Sequence, residues 1–147
     1  MNKVLGLDLG TRTLGIAISD VLGIAHGYEE FRFLEGAYKQ AIKRVLEVCE
    51  KEKVTEIALG YPLNMDGSEG EKALSSKRFK NSLLEVNPNL KISLVDERMT
   101  TIIATKRLLE ADLSRNKRHK VIDKQAAVVI LESYLQRKEF ENNAWAN

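Results

Sequence analysis

Three acids sit where acids are costly. Asp8 interrupts the apolar run Val4-Leu5-Gly6-Leu7-Asp8-Leu9, Glu97 follows the apolar segment Ile92–Val95, and Asp123 opens the apolar stretch Val121–Leu135. An ionised carboxylate at the edge of core-forming sequence loses hydration and needs a cation or hydrogen bonds in its place. Three such groups brought together repel one another, and a divalent cation relieves that repulsion. Mg²⁺ or Mn²⁺ prefers oxygen donors of this kind, and no Cys/His set is spaced for zinc. The plainer reading is salt bridges and helix caps. Asp123, in the first turn of a helix, would be favoured by the helix dipole alone.

Asp20, Asp66 and Asp96 compete for the same role. Asp20 can cap the exit of a strand, and Asp66 can form an Asx turn with Asn64. Asp96 and Glu97 are adjacent on a strand, so their side chains point to opposite faces. Only one of the two can face a site if the strand continues that far, and the residues alone leave that choice open.

Groups able to hold phosphate lie beside the acids. Leu63–Gly70, which contains Asn64, precedes a helix and offers backbone N–H groups to an anion. Arg12, four residues after Asp8, can take a phosphate bidentately, with an ion pair to Asp20 or Asp96 as its rival role. Arg98 beside Glu97 has the same two readings. Arg115, Lys117, Arg118 and Lys120 place four formal positive charges in six residues directly before Asp123. Such a run is attracted to a phosphate backbone, although a charge run is often just a solvated face.

The elements that must position these residues follow from periodicity. Val4–Leu9 and Leu14–Ser19 read as strands joined by a short Gly-containing turn, hence an antiparallel hairpin. Residues 25–34 form a third strand. A helix from about Ala37 to Lys53 repeats Ala41, Ile42, Val45, Leu46 and Cys49 at helical spacing. Glu56–Gly60 is the fourth strand, a second helix runs from about Glu71 to Glu85, and Lys91–Val95 is the fifth strand. A third helix, capped by Thr100 or Thr101, runs to about Glu110, and the last spans Val121–Arg137. The order is βββαβαβαα. Right-handed crossovers lay strands four and five parallel to strand one. The expected fold is an α/β mixed five-stranded sheet, ordered 3-2-1-4-5, with helices on both faces. Ligands of open α/β sheets bind beyond the carboxyl ends of the parallel strands. Asp8, Tyr61-Pro62 and Asp96-Glu97 should meet on that rim.

The chain of 147 residues suits a single domain, residues 1–137, with a tail over 138–147. Hydrophobic residues make up 44% and charged residues 30%, a globular balance that needs no disulfide framework. The net charge of +2 is too small by itself to imply nucleic acid. One cysteine, Cys49, and no secretory signal pattern lead us to expect a cytoplasmic protein. No apolar run approaches the roughly 20 residues of a membrane span.

Four segments taken together resemble the YqgF/RuvX family of Holliday junction resolvases and pre-16S rRNA nucleases. They are Gly6–Arg12 with Gly15 and Ser19-Asp20, then Gly60–Gly70, Asp96–Thr101, and Asp123–Ala127 leading to Ile130-Leu131. The first segment is weak alone, but all four in order are specific, and they span about residues 3 to 137. The resemblance implies a ribonuclease H-like fold. It also implies a metal-dependent nuclease acting on structured RNA or branched DNA, with Asp8, Glu97 and Asp123 as catalytic acids, and so selects Glu97 over Asp96. A resolvase would also benefit from a homodimer. Two other classes stay in view. Asp8-Leu9-Gly10-Thr11 is also similar to the phosphate loop of actin-like ATPases, whose second lobe this length does not provide. The third class is a nucleic-acid-binding or ribosome-assembly factor without catalysis.

Overall fold

A computed structural model describes residues 2–99, 102–108, 111 and 119–146; the side chains of 119–124 and 143–146 lie outside that description. The strands are β1 (Val4–Leu9), β2 (Thr13–Ser19), β3 (Ala25–Arg32), β4 (Glu56–Tyr61) and β5 (Lys91–Asp96). The helices are α1 (Tyr38–Glu52), α2 (Glu71–Val86), α3 (residues 102–108) and α4 (His119–Ala146). The sheet order is β3-β2-β1-β4-β5, as expected from the sequence. β1 pairs antiparallel with β2 and parallel with β4, and β4 pairs parallel with β5.

Two-residue alternation divides the core between the faces. Leu5 and Leu7 of β1 and Ile57 and Leu59 of β4 pack with Val45, Val48, Phe79 and Leu83 of α1 and α2. Val4, Ala58 and Val95 pack on the other face with Ala127, Ile130 and Leu131 of α4 and with Ile102 of α3. Gly6 is what lets α4 come close. A methyl group at Gly6 would lie 2.6 Å from Leu131 Cβ and 2.8 Å from the Ala127 carbonyl oxygen.

α4 runs antiparallel to β4. Ile130 lies against Gly60 near the carboxyl end of β4, whereas Lys138 Nζ donates to both carboxylate oxygens of Glu56 at its start, each at 2.9 Å. Tyr134 also donates to Glu56. The sequence places the helix end at Arg137, with a frayed tail beyond. The helix instead continues to Ala146, and the Lys138–Glu56 pair holds its next turn on the sheet. Periodicity lost the end because residues after Arg137 are mostly polar, and polar composition alone does not stop a helix. Among the described residues no helix is long and apolar enough to cross a membrane.

Candidate metal and phosphate site

The parallel strands deliver two acids to one rim on one face. On β1, Val4 packs towards α4, so alternation puts Gly6 and Asp8 on that face as well. On β5, Val95 faces α4, and alternation brings Glu97 to the same side. The Glu97 N–H donates to the Tyr61 carbonyl at 3.1 Å, extending the β4–β5 pairing one residue past the strand. Between β1 and β5, Gly60 leaves a space that Glu97 fills. A methyl group there would stand 2.7 Å from Glu97 Oε2 and 2.8 Å from Ile130 Cδ1.

Asp8 and Glu97 converge on a cation that sequence reasoning missed. Lys106 Nζ on α3 lies 3.1 Å from Asp8 Oδ1 and also donates to Glu97 Oε1. The side chains of Glu97, Asp8 and Lys106 are 7%, 17% and 31% exposed, so the lysine closes the pair from the solvent side. Burial, and next the Asp8 charge, hold the Glu97 carboxyl above its ordinary range, against the pull of Lys106. Burial disfavours the Lys106 ammonium, but the Asp8 and Glu97 charges outweigh it and raise its pKa. A lysine on a short amphipathic helix carries no signal for this role. Only the 98-residue separation closed by the fold reveals it.

Asp123 belongs to the first turns of α4, and its side chain lies outside the described residues. Its backbone position is still informative. α4 runs antiparallel to β4 with Ile130 against Gly60, so the helix start extends towards the rim that carries Asp8 and Glu97. Among the described residues, no group of three or more potential ligands comes together.

The competing acids are occupied elsewhere. Asp20 lies at the far end of β2, since Leu5 pairs with Ile18. It accepts from the Leu22 and Ile24 N–H groups and pairs with His26 at 2.7 Å. Asp66 accepts from the Ser68 N–H and hydroxyl within its own loop. Asp96 faces away from Glu97 and is held by Arg98, whose Nε and Nη2 donate to it at 3.1 and 2.8 Å. Those bonds hold the Asp96 carboxyl below its usual range.

The expected phosphate-binding residues divide into two groups. Arg98 is engaged by Asp96 and also donates to the Met65 carbonyl at 3.4 Å, tying the 63–70 loop to the end of β5. Asn64 donates to Ser68 Oγ at 3.0 Å inside that loop. Arg12 pairs with Glu35 at 3.3 Å, not with Asp20 or Asp96, because β3 leads into α1 directly beside the β1–β2 turn. Its side chain remains 70% exposed. Arg115, Lys117 and Arg118 lie outside the described residues, and so does the Lys120 side chain.

Asp8, Glu97 and Lys106 form the floor of a cleft of about 670 Å³, with Thr11, Arg12 and Lys72 on its walls. Its donor set suits a hard cation: two carboxylates already converge on one positively charged atom. The single cysteine, Cys49, is buried on the inner face of α1, where burial pushes its thiol up to about 11. The cleft can therefore hold a cation against its acids and an anionic chain along its basic wall.

Comparison with known proteins agrees with this architecture. The family model described as RuvX, Holliday junction resolvase, matches residues 2–137. A Geobacillus sp. (strain WCH70) protein named "Putative pre-16S rRNA nuclease" is 48% identical over 138 residues, covering 93% of this chain and 99% of its own. A Staphylococcus aureus (strain JH9) protein of the same name is 44% identical over 135 residues, covering 91% and 95%. Among solved structures, Thermus thermophilus RuvC in complex with a Holliday junction substrate superposes with a TM-score of 0.61 at 16% identity, covering 95% of this chain and 96% of that one. At that identity the likeness is one of fold.

Proposed function

The chain belongs to the RuvX family of Holliday junction resolvases, and on that premise we propose that it is a divalent-metal-dependent endonuclease of structured nucleic acid, with precursor ribosomal RNA as its substrate. The observation that carries the reading is the convergence of Asp8 and Glu97 on one cation at the carboxyl rim of the sheet. The choice of RNA rests on the relatives at 44–48% identity, whose name specifies a pre-16S rRNA nuclease. The family description favours a four-way DNA junction as the second substrate.

Asp8, Glu97 and Asp123 are the residues that would hold Mg²⁺ or Mn²⁺. When bound, the cation makes water more acidic and neutralises charge building on the phosphoryl oxygens. The chain's own groups supply position. Arg12 and Lys72 on the cleft walls hold the phosphates flanking the scissile bond. The Asp96–Arg98 pair fixes the 63–70 loop that borders the cleft. Water adds to phosphorus and gives up a proton, the P–O bond to the leaving oxygen breaks, and that oxygen takes up a proton.

The test is a parallel cleavage assay on precursor 16S rRNA and on a four-way DNA junction, with Mn²⁺, with Mg²⁺ and with chelator. Metal-dependent cleavage of the RNA is expected. Cleavage of the junction alone would reassign the substrate, and equal cleavage in chelator would remove the metal from the mechanism.

A further inference from the structure

The Lys106 ammonium stands where the two rim carboxylates meet. It contacts Asp8 Oδ1 at 3.1 Å and donates to Glu97 Oε1. We infer that Lys106 is the internal counter-cation of the metal-free site, and that a divalent cation binds Asp8 and Glu97 only by displacing it. The inference rests on the metal-site reading above and adds to it a competitor built into the chain.

Two physical facts lead here. First, one carboxylate oxygen cannot face an ammonium and a divalent cation in the same place. A Mg²⁺ ion bridging Asp8 Oδ1 and Glu97 Oε1, the two oxygens that hold Nζ, at about 2.0–2.1 Å from each would take the place the ammonium fills. Like charges that close, in a partly buried cleft, repel far more strongly than in water. Second, Glu97 is the confined partner and the lysine is the more mobile one. Glu97 is wedged against Gly60 and Ile130, where even a methyl group lacks room. Lys106 is the most exposed of the three and reaches in on a flexible four-carbon stem. The side chain that yields is therefore Lys106, which swings towards the open cleft.

The arrangement has a direct consequence. Without metal, the lysine sits between two close carboxylates and offsets their repulsion. With metal, the lysine's charge is released into the cleft that Arg12 and Lys72 also line. Lys106 thereby sets how much free metal the site needs before it fills.

Calorimetric titration with Mn²⁺ tests this on the full chain without nucleic acid, comparing the parent with Lys106→Met and Lys106→Arg. Lys106→Gln covers the case in which the methionine variant does not fold. The neutral variants should bind Mn²⁺ about tenfold or more tightly than the parent, and Lys106→Arg should stay near the parent. The neutral variants should also melt lower than the parent in chelator, because an uncompensated acid pair remains, and Mn²⁺ should restore them. Equal affinity in parent and neutral variants overturns the inference and leaves the metal site standing. Equal tightening in Lys106→Arg also overturns it, since the positive charge would not be the cause. Absence of Mn²⁺ binding in every variant overturns both the inference and the metal-site reading.

Discussion

The Glu97 carboxylate occupies the space that a side chain at Gly60 would need. A methyl group there would lie 2.7 Å from Glu97 Oε2 and 3.2 Å from Glu97 Cδ. The glycine in Gly60-Tyr61-Pro62 is thus part of the site's geometry. Gly60→Ala must push the carboxylate or Ile130 aside. It should cost about 1–3 kcal/mol, the usual range for overpacking a filled interior. It should also weaken Mn²⁺ binding, because the displaced carboxylate no longer meets Asp8. Urea unfolding and metal titration of one sample measure both effects. Parental stability together with parental affinity would show that the space can open freely.

Asp96 should behave as a structural acid. Its carboxyl is held below its ordinary 3.8, chiefly by hydrogen bonds from Arg98. A group with a depressed folded pKa adds stability that is full above the unfolded value and is lost as pH falls through the folded one. Parent and Asp96→Asn should therefore differ in melting temperature near neutrality and converge in acid below that depressed value. Asp96→Asn should retain more cleavage activity than Glu97→Gln, since Asp96 faces Arg98 and not Asp8. An inactive Asp96→Asn beside an active Glu97→Gln would mean that the catalytic face is the opposite one.

The basic run leading into α4 should act on nucleic acid and not on metal. Changing Arg115, Lys117, Arg118 and Lys120 together to Gln should weaken binding. Each lost phosphate contact should lower the magnitude of the log K against log salt slope by about 0.7 to 0.9. The effect should be nearly independent of sequence, because phosphate contacts position and do not specify. A salt titration on structured RNA and on a four-way DNA junction, in parallel, measures it. An unchanged slope on both substrates would make the run an ordinary solvated surface.

Much of this molecule was legible in the chain because its signals are local. Alternation in Val4–Leu9 and the apolar run Ile92–Val95 mark strands, and the handedness of crossovers then orders the sheet. The same alternation separates Asp96 from Glu97, although only the packing of Val95 against α4 shows which of them reaches the rim. Lys106 was not legible: its meaning depends on Asp8, 98 positions away, and a lysine on a helix is usually a solvated one. Arg98 and Asn64, phosphate ligands by type, also make hydrogen bonds inside the rim, on Asp96, Met65 and Ser68, which the sequence does not show. The partner of Arg12 was missed for a similar reason. Glu35 comes beside it only when the chain leaving β3 passes the β1–β2 turn.

Asp8 and Glu97 are expected to act together through a divalent cation. The most direct test is cleavage of precursor 16S rRNA and of a four-way DNA junction in Mn²⁺ by the parent, Asp8→Asn and Glu97→Gln, each checked for folding by circular dichroism. Both substitutions keep the side-chain shape and remove a charge. Both folded variants should lose metal-dependent cleavage by a factor of about 10² or more, the scale of removing one preorganised catalytic group. Each should also lose the rise in melting temperature that Mn²⁺ gives the parent. Full cleavage by a well-folded Asp8→Asn protein would contradict the account.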